Sequence, residues 1–450
     1  MKHTCALFLK RILFFAILLT FSSSVFSQTT YTPTKENLEA RKWFEEARFG
    51  MFVHFGPYAV LGNGEWVMTN RNIKVDDYKR LINFFNPKDF DAAKWVATAK
   101  SAGMKYITLT SRHHDSFSNW DTKQSDWKIT NTPYGKDLIK QLSAECQKQG
   151  IKLFLYYSTL DWSRDDYQWK TGRTGQGTGR AGEGNWRAYI DFMKAQLTEL
   201  LTEYGPIGGI WFDGHWDQTA HENRTDQSAA VDWHYDEIYS LIHRLQPSCL
   251  VANNHHLPPF PGEDYQIFER DLPGENKAGL SGQAVSEKLP LETCETMNGT
   301  WGYSITDTKY KTDKELIDYL VRAAGYGSNL LLNVGPMPNG EIQPEFVNSL
   351  AEMGKWMSKY GHTIYGTKAG FIKPQSWGCI TQKDDKYYIH ILKNETQSLV
   401  LDFPAAIKSA VWVDNNAKVN WKQDAQNKAT FVLDGGPMNA LDAIIEVTVK

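Results

Sequence analysis

The sequence is poor in cysteine and carries no block of like charge. Of its 450 residues only five are cysteines, and Cys146, Cys249, Cys294 and Cys379 lie far apart without a CxxC pair. This spacing argues against a disulfide framework and against a zinc ribbon, so we expect free, mostly buried thiols. The 49 basic and 52 acidic residues give a formal net charge of -3. Without a run of lysines and arginines, a nucleic-acid partner is disfavoured.

Long apolar runs are also missing, apart from one near the N-terminus. Basic residues precede the apolar stretch 12–21, and serines follow it at 22–24, which is typical of a signal peptide. The stretch is shorter than the roughly 20 residues that a membrane-spanning helix requires. We predict a signal peptide over residues 1–27, cleaved after Ser27. The mature protein is then exported, periplasmic or secreted, and has no membrane partner.

What the sequence has in quantity is an alternation of strand-like and helix-like segments. Apolar runs predict strands at 50–55, 106–111, 152–158, 208–213, 249–253 and 330–334. Apolar residues at three-and-four spacing predict helices at 91–102, 137–149, 186–204, 233–245, 313–324 and 345–360. This order predicts an α/β fold, a TIM-like (β/α) barrel over residues 28–366. Fewer than eight units are recognisable and the stretch 258–300 is loop-rich, so the barrel is expected to be irregular there.

The pattern changes in the last part of the chain. Past residue 366, short runs with alternating apolar residues are separated by Asn, Asp and Gly turns. Such runs are typical of antiparallel strands. We therefore predict a small C-terminal antiparallel β-sandwich over residues 367–450.

The segment GGIWFDG at 208–214 is the strongest single indication of a site. An apolar run that ends in Asp213 is typical of a buried parallel strand whose last side chain enters a cleft, where barrels keep their chemistry. A helix cap or a turn accounts for the same aspartate equally well from the local string. The rest of the sequence favours catalysis, because polar and aromatic residues lie in or just beyond other predicted strands: His54, His113, His114 and Tyr157. Glu65 and Trp66 lie on the loop after the first strand, and Trp211 lies in the same strand as Asp213.

Histidines beside a carboxylate also suit a metal ion. Metal-dependent barrel sites usually carry an HxH or HxxxH spacing on one strand, and the adjacent pair His113 and His114 does not provide it. We expect no metal, and a metal-dependent barrel hydrolase remains the alternative. A non-catalytic sugar-binding protein is a second alternative, although such a protein has no need of Asp213.

Six separate motifs occur in an order that points to one family. They are WFEEARFGMFVHFG at 43–56, GEW at 64–66, SRHHDSF at 111–117, IWFDG at 210–214, TWGY at 300–303 and NLLLNVGPMPNGEI at 329–342. Together they resemble the α-L-fucosidases of glycoside hydrolase family 29. The resemblance implies an irregular barrel followed by a β-sandwich, and no cofactor. It also implies a retaining exo-hydrolase that removes terminal α-linked L-fucose from oligosaccharides or glycoproteins.

The resemblance also assigns roles to individual residues. It implies that Asp213 is the nucleophile. It implies that the sugar is bound by His54, Glu65, Trp66, His113 and His114, and that its C6 methyl group is received by Trp211 and Trp301. The segment NNHH at 253–256 stands where many members carry an arginine that touches the sugar. His255 is predicted to stand in for that arginine.

Two glutamates compete for the role of acid/base by this resemblance. Glu269 in YQIFERDLP resembles the members in which a glutamate a few residues before a proline is used. Glu292 in LPLETCETMNGTWGY resembles the members with a WE dipeptide, although Leu291 replaces the tryptophan. Glu269 is favoured, Glu292 is second, and Glu263 and Glu295 are weaker candidates.

Overall fold

A sheet of eight parallel strands forms the first part of the computed structural model, which describes residues 31–219, 231–393, 397–433, 436 and 441–450. The strands are β1 (Phe49–Val53), β2 (Tyr106–Arg112), β3 (Lys152–Ser158), β4 (Gly209–Asp213), β5 (Leu250–Asn254), β6 (Gln266–Glu269), β7 (Leu291–Thr296) and β8 (Ser328–Val334). β1 pairs with both β2 and β8, which gives the order β5-β4-β3-β2-β1-β8-β7-β6. The predicted TIM-like barrel is confirmed.

Helices follow the strands and begin at recognisable caps. The longer ones are Lys35–Ala47, Ala92–Ser101, Leu138–Gln149, Trp186–Glu203, Tyr235–Leu245, Asp313–Gly325 and Pro344–Tyr360. Short helices cover Tyr58–Leu61, Val67–Asn70 and Val75–Tyr78. The side chains of Asp91 and Asp137 accept hydrogen bonds from backbone N–H groups in the first turn of their helices. These caps satisfy donors that the helix itself leaves unpaired, and the sequence therefore locates these helices to within a few residues.

The loop-rich stretch 258–300 contains two strands, β6 and β7, that the sequence does not predict. β6 has only four residues, too few for a clear alternation, and β7 carries two glutamates and three threonines or cysteines in its six residues. β5 and β6 stand at the two ends of the strand order, so no strand ladder joins them and the barrel has a seam between these two strands. Asp264 bridges this seam, since its backbone N–H donates to the Val251 carbonyl and its Oδ2 accepts from the Val251 N–H, both at 2.7 Å. The barrel is thus irregular where predicted, but with all eight strands.

The N-terminal end of the barrel is closed by the helix that precedes β1. Phe44 of this helix inserts among interior rings, with centroid distances of 5.4 Å to Tyr106, 5.6 Å to Phe154 and 4.4 Å to Tyr265. These residues belong to one buried apolar cluster that fills the barrel interior. Because this end is packed with aromatic rings, a ligand has access to the barrel only from the opposite, C-terminal end of the strands.

The C-terminal part contains two antiparallel sheets. Its strands are β9 (Lys368–Ala369), β10 (Gly378–Lys383), β11 (Lys386–Ile391), β12 (Ser398–Asp402), β13 (Ile407–Trp412), β14 (Trp421–Gln423), β15 (Lys428–Val432) and β16 (Ala443–Val449). The order is β13-β16-β11-β10-β9 in one sheet and β12-β15-β14 in the other. A separate apolar core that includes Ile389, Phe403, Phe431 and Ile445 lies in this part, which confirms the predicted sandwich.

The remaining expectations from the sequence concern the cysteines, membrane-spanning helices and the domain boundaries. Cys146, Cys249, Cys294 and Cys379 are free and buried, as their spacing predicts. In the described ranges, the helices are too short or too polar to span a bilayer. The predicted signal peptide over 1–27 lies outside the described residues. The boundary between 28–366 and 367–450 stays a prediction.

Candidate active site

A cavity of about 1040 Å³ opens at the C-terminal ends of the barrel strands. Ten of the twelve residues that the sequence predicts for the site line this cavity: His54, Glu65, Trp66, His113, His114, Trp211, Asp213, His255, Glu269 and Trp301. The other two, Tyr157 and Glu292, lie outside it. Within the described residues, no three or more His, Cys, Asp or Glu side chains are grouped so as to hold a metal ion.

Asp213 lies at the last position of β4, and each of its carboxylate oxygens has a hydrogen-bond donor. Tyr156 Oη donates to Oδ2 at 2.8 Å and Trp216 Nε1 donates to Oδ1 at 3.1 Å. The Trp216 ring stacks on Trp66, with centroids 5.7 Å apart. Burial, and next the charge of Glu269, raise the pKa of Asp213 to about 7, although the two donors act in the opposite direction. The carboxylate is therefore fixed in orientation and only weakly stabilised as an anion.

His114 presents an unprotonated nitrogen to Asp213. Its Nδ1 lies 2.6 Å from Ser158 Oγ, and the Ser158 hydroxyl itself donates to the Leu160 carbonyl at 2.6 Å. Because that hydroxyl proton is used, the Nδ1–H of His114 donates to Ser158, which leaves Nε2 as an acceptor. Nε2 lies 3.6 Å from Asp213 Oδ2. Burial lowers the pKa of His114 to about 3, so this nitrogen accepts a hydrogen bond from a ligand hydroxyl at neutral pH.

His54 and His113 extend this neutral surface. His54 Nδ1 lies 2.7 Å from Asn333 Oδ1, and Asn333 Nδ2 donates to the Trp301 carbonyl at 2.7 Å, which fixes the amide and makes His54 Nδ1 the donor. Burial lowers the pKa of His54 to about 3 and lowers that of His113 strongly. The rings of His54 and His113 meet edge to face at 5.6 Å. Three neutral imidazoles at two strand ends suit hydroxyl groups better than anions.

An apolar corner and a carboxylate complete this part of the cavity. Phe52 packs against Trp211 at 5.2 Å and against Trp301 at 5.9 Å between ring centroids. Glu65 Oε2 accepts from the Gly302 N–H at 2.7 Å, which ties the loop after Trp301 to the cavity wall. Burial raises the pKa of Glu65. The cavity thus has an apolar wall beside groups that are able to hydrogen-bond to hydroxyls.

Glu269 ends β6 and faces the same cavity as Asp213. Asn254 is the register partner of Asp213 on the intervening strand β5, and its Nδ2 donates to Glu269 Oε2 at 2.8 Å. His256 Nε2 lies 3.8 Å from the same oxygen. The hydrogen bond from Asn254 fixes the orientation of the Glu269 carboxylate in the cavity wall. The charge of Glu269 raises the pKa of Asp213, an effect that requires the two carboxylates to be near each other.

Glu292, the second candidate for the acid/base, does not line the cavity. It is the second residue of β7, it is fully buried, and its oxygens accept from Tyr106 Oη at 2.5 Å and Trp211 Nε1 at 2.9 Å. Burial raises its pKa to about 7, but it lies below the cavity that a substrate enters. Glu263 accepts hydrogen bonds from Tyr239, His255 and the backbone of Phe260, while Glu295 pairs with Lys311. Of the four glutamates, Glu269 alone lines the cavity with Asp213, and its role as the acid/base stays a prediction.

His255 lines the cavity but does not replace an arginine as predicted. Its Nδ1 accepts from the Leu257 N–H at 3.0 Å, and its Nε2 donates to Glu263 Oε1 at 3.0 Å. With both ring nitrogens occupied, His255 has none to offer a sugar hydroxyl. The guanidinium groups in the cavity wall come instead from Arg173 and Arg270.

The cavity wall contains Tyr156 and not the adjacent Tyr157 that the sequence predicts. Tyr157 Oη donates to Gln196 Oε1 at 2.8 Å on the outside of the barrel. Tyr156 lies in the cavity wall, holds Asp213, and is the register partner of Trp211. Side chains alternate along a strand, so residues paired with Trp211 face the interior with it. That alternation is the signal that identifies Tyr156.

Fold and cavity together define a class of protein. A (β/α) barrel that brings two carboxylates together at its open end has the arrangement that glycoside hydrolases use. The sequence matches the family profile described as Alpha-L-fucosidase over residues 18–362. The chain belongs to the α-L-fucosidase family.

Individual relatives agree with this assignment. A solved structure of α-L-fucosidase isoenzyme 1 from Paenibacillus thiaminolyticus is 33% identical, covers 92% of this chain and 100% of its own, and has a TM-score of 0.80. A trapped covalent intermediate of an α-L-fucosidase from Bacteroides thetaiotaomicron is 25% identical, with coverages of 92% and 96% and a TM-score of 0.77. The tissue α-L-fucosidase of Bos taurus is 29% identical over 391 residues, which cover 80% of this chain and 75% of the relative.

Proposed function

We propose that the protein is an exo-acting α-L-fucosidase that releases terminal α-linked L-fucose from glycans with retention of configuration. The observation that carries this proposal is the pairing of Asp213 and Glu269 in one cavity, near enough for the charge of one to raise the pKa of the other. Retaining glycosidases place their two carboxyl groups about 5–5.5 Å apart. The covalent intermediate trapped in the Bacteroides thetaiotaomicron relative supports the same chemistry.

The reaction proceeds in two displacements. An oxygen of Asp213 forms a bond to the anomeric carbon while Glu269 gives its proton to the glycosidic oxygen, and the bond between that oxygen and the anomeric carbon breaks. The carboxylate of Glu269 then takes a proton from water. The water oxygen bonds to the anomeric carbon, and the ester bond to Asp213 breaks. Two inversions at one carbon give net retention.

The protonation state of Asp213 is part of this mechanism. Asp213 must be ionised to attack the anomeric carbon, and burial, and next the charge of Glu269, raise its pKa to about 7. Below that pH a growing fraction of Asp213 is protonated and cannot attack. We therefore expect kcat/KM to fall as the pH drops below about 7.

Specificity for fucose follows from the apolar corner. L-Fucose carries a methyl group where the corresponding galactose carries CH2OH, and Phe52, Trp211 and Trp301 form an apolar wall at one side of the cavity. A methyl group gains by burial against these rings. A hydroxyl at the same position loses its hydrogen bonds to water without a partner in return.

The function is tested with an aryl α-L-fucoside whose hydrolysis is followed by proton NMR. We expect α-L-fucose to appear first and the β anomer to grow in only by mutarotation. Initial release of β-L-fucose contradicts the retaining mechanism. Failure to release fucose, with turnover of another aryl glycoside, contradicts the proposed substrate.

The two adjacent tyrosines provide a matched pair of variants. Tyr156→Phe removes the donor to Asp213 Oδ2, and since that hydrogen bond lowers the pKa of Asp213, the pKa rises in the variant. We expect the pH profile of kcat/KM to move to higher pH by about one unit, the size given by the loss of one hydrogen bond to a charged group.

Tyr157→Phe is the control for this experiment. It removes an equivalent hydroxyl one residue away, whose partner is Gln196, and we expect it to leave the profile in place. Equal shifts in both variants, or no shift in Tyr156→Phe, contradict the role of Tyr156 as the donor that orients Asp213.

A further inference from the structure

The cavity is larger than one fucose unit requires. Its volume of about 1040 Å³ reaches the upper end of the range of roughly 300–1,000 Å³ that is typical of pockets for drug-sized ligands. The deep part is formed by buried side chains such as His54 and His114, which are 4% and 1% exposed. The outer part includes Arg173, Leu257 and Leu280. The floor therefore has room for the fucose unit and the outer part for something attached to it.

Leu257 and Leu280 are exposed at the mouth of the cavity, by 40% and 38% respectively. They lie on two loops that His256 joins, because its Nδ1–H donates to the Leu280 carbonyl at 2.5 Å. His256 has a backbone φ of 61°, in the left-handed region that non-glycine residues rarely adopt and that is often found at functional sites. Two apolar side chains exposed beside a ligand cavity offer an apolar surface to a bound ligand.

These leucines lie on the side of the cavity where the leaving group departs. Glu269 must reach the glycosidic oxygen, and the atoms linked to that oxygen lie next to it. His256 Nε2 is 3.8 Å from Glu269 Oε2, and Ser281 Oγ, one residue after Leu280, donates to the Glu269 carbonyl at 3.2 Å. The loop that carries Leu280 is thus anchored to the backbone of Glu269 itself.

A polar group in the outer part of the cavity complements the leucines. Arg173 is exposed, and its Nη2 donates to Thr219 Oγ1 at 2.7 Å. Its backbone N–H donates to Asp217, which is buried, so the segment that carries this guanidinium is fixed. A pyranose ring has an apolar face of C–H groups and a rim of hydroxyls, and leucine side chains with a guanidinium suit these two parts.

We propose that Leu257, Leu280 and Arg173 form a subsite for the leaving group, occupied by a neutral pyranose sugar whose C–H face rests on the two leucines. The inference rests on the proposed fucosidase function and names the residues that contact the sugar next to the fucose. These residues then determine which leaving-group sugars the protein prefers.

The test compares a substrate that fills this subsite with one that leaves it empty. Leu257→Ala and Leu280→Ala are assayed on the fucosyl disaccharide that the unaltered protein cleaves best among α1,2-, α1,3-, α1,4- and α1,6-linked compounds. The same variants are assayed on α-L-fucosyl fluoride, which has no leaving-group sugar. We expect kcat/KM on the disaccharide to fall about tenfold for each variant, the effect of losing a few apolar groups from a pocket, and to stay within about twofold on the fluoride.

Val400→Ala is the matched control, because Val400 is 49% exposed on β12 of the sandwich, away from the cavity. It is expected to change neither rate. Equal losses on both substrates, or an unchanged rate on the disaccharide, contradict the subsite. Cleavage of the fluoride by the unaltered protein still supports the proposed fucosidase function in that case. If the unaltered protein cleaves neither the fluoride nor any disaccharide, the proposed function fails and the subsite fails with it.

Discussion

Asp213→Ala is expected to lower kcat on an aryl α-L-fucoside by roughly 10⁴-fold or more, the scale of loss seen when a covalent nucleophile is removed. The variant has no atom to form the bond to the anomeric carbon, and the hydrogen bonds from Tyr156 and Trp216 that orient the carboxylate have no acceptor. Added azide is expected to restore turnover, because the small anion fits the space that the carboxylate vacates. The product is then β-L-fucosyl azide, formed by one inversion, and it is identified by NMR.

The stability of the same variant provides its control. In the folded protein the pKa of Asp213 is raised above its ordinary value, mainly by burial. A carboxyl group with a raised folded-state pKa favours folding when protonated, and its contribution is lost as the pH rises through that pKa. Asp213→Ala is therefore expected to have a Tm at pH 8 equal to or above that of the unaltered protein. Retained activity, or azide rescue without a fucosyl azide product, contradicts the assignment of the nucleophile.

The parts of this site that the sequence predicts are those set by local pattern. His54, His113 and Asp213 end apolar runs, and parallel strands of a barrel bring their C-terminal ends to one rim. Alternation along β3 places Tyr156 and Tyr157 on opposite faces, and only Tyr156 faces the cavity. The register with Trp211 decides the phase, and register is a property of strand pairing rather than of one strand.

The parts that the sequence does not predict depend on distant partners. The sequence of β7 does not predict a buried strand because Glu292 lies in it. In the structure the carboxyl group of Glu292 accepts hydrogen bonds from Tyr106 and Trp211, which are 186 and 81 residues away along the chain. β6 is too short to show a period. Glu269 and Glu292, the two candidates for the acid/base, lie on these two strands. Only the folded structure shows that Glu269 lines the cavity and that Glu292 is fully buried outside it.

Glu269→Ala is expected to affect substrates according to their leaving groups. On a fucosyl disaccharide, whose leaving oxygen needs a proton, kcat/KM is expected to fall by about 10³-fold, within the range that general acid catalysis contributes. On a nitrophenyl fucoside the first step proceeds without protonation, so kcat/KM is expected to change far less. With slow deglycosylation, the fucosyl-enzyme accumulates and gives a burst of nitrophenol, which stopped-flow absorbance measures. Azide is expected to speed turnover of this variant as well, here by replacing the base-assisted water.

Glu292→Gln is the matched control for the identity of the acid. Its amide oxygen still accepts from Trp211 Nε1 in the buried position, so the ring next to the cavity stays in place. We expect the ratio of disaccharide to nitrophenyl rates to match that of the unaltered protein. A selective loss on the disaccharide in Glu292→Gln, with normal leaving-group dependence in Glu269→Ala, assigns the acid to Glu292 and contradicts our interpretation.

The pH profile gives a second, independent reading of Glu269. In the unaltered protein, burial, and next the charge of Glu269, raise the pKa of Asp213 to about 7. Because Asp213 must be ionised to attack, kcat/KM on the nitrophenyl fucoside is expected to fall as the pH drops below about 7. Glu269→Ala removes the charge that contributes to this raised pKa, so the pKa of Asp213 falls and the acid side of the profile is expected to move to lower pH. An acid side that stays in place in Glu269→Ala contradicts the interaction between the two carboxylates.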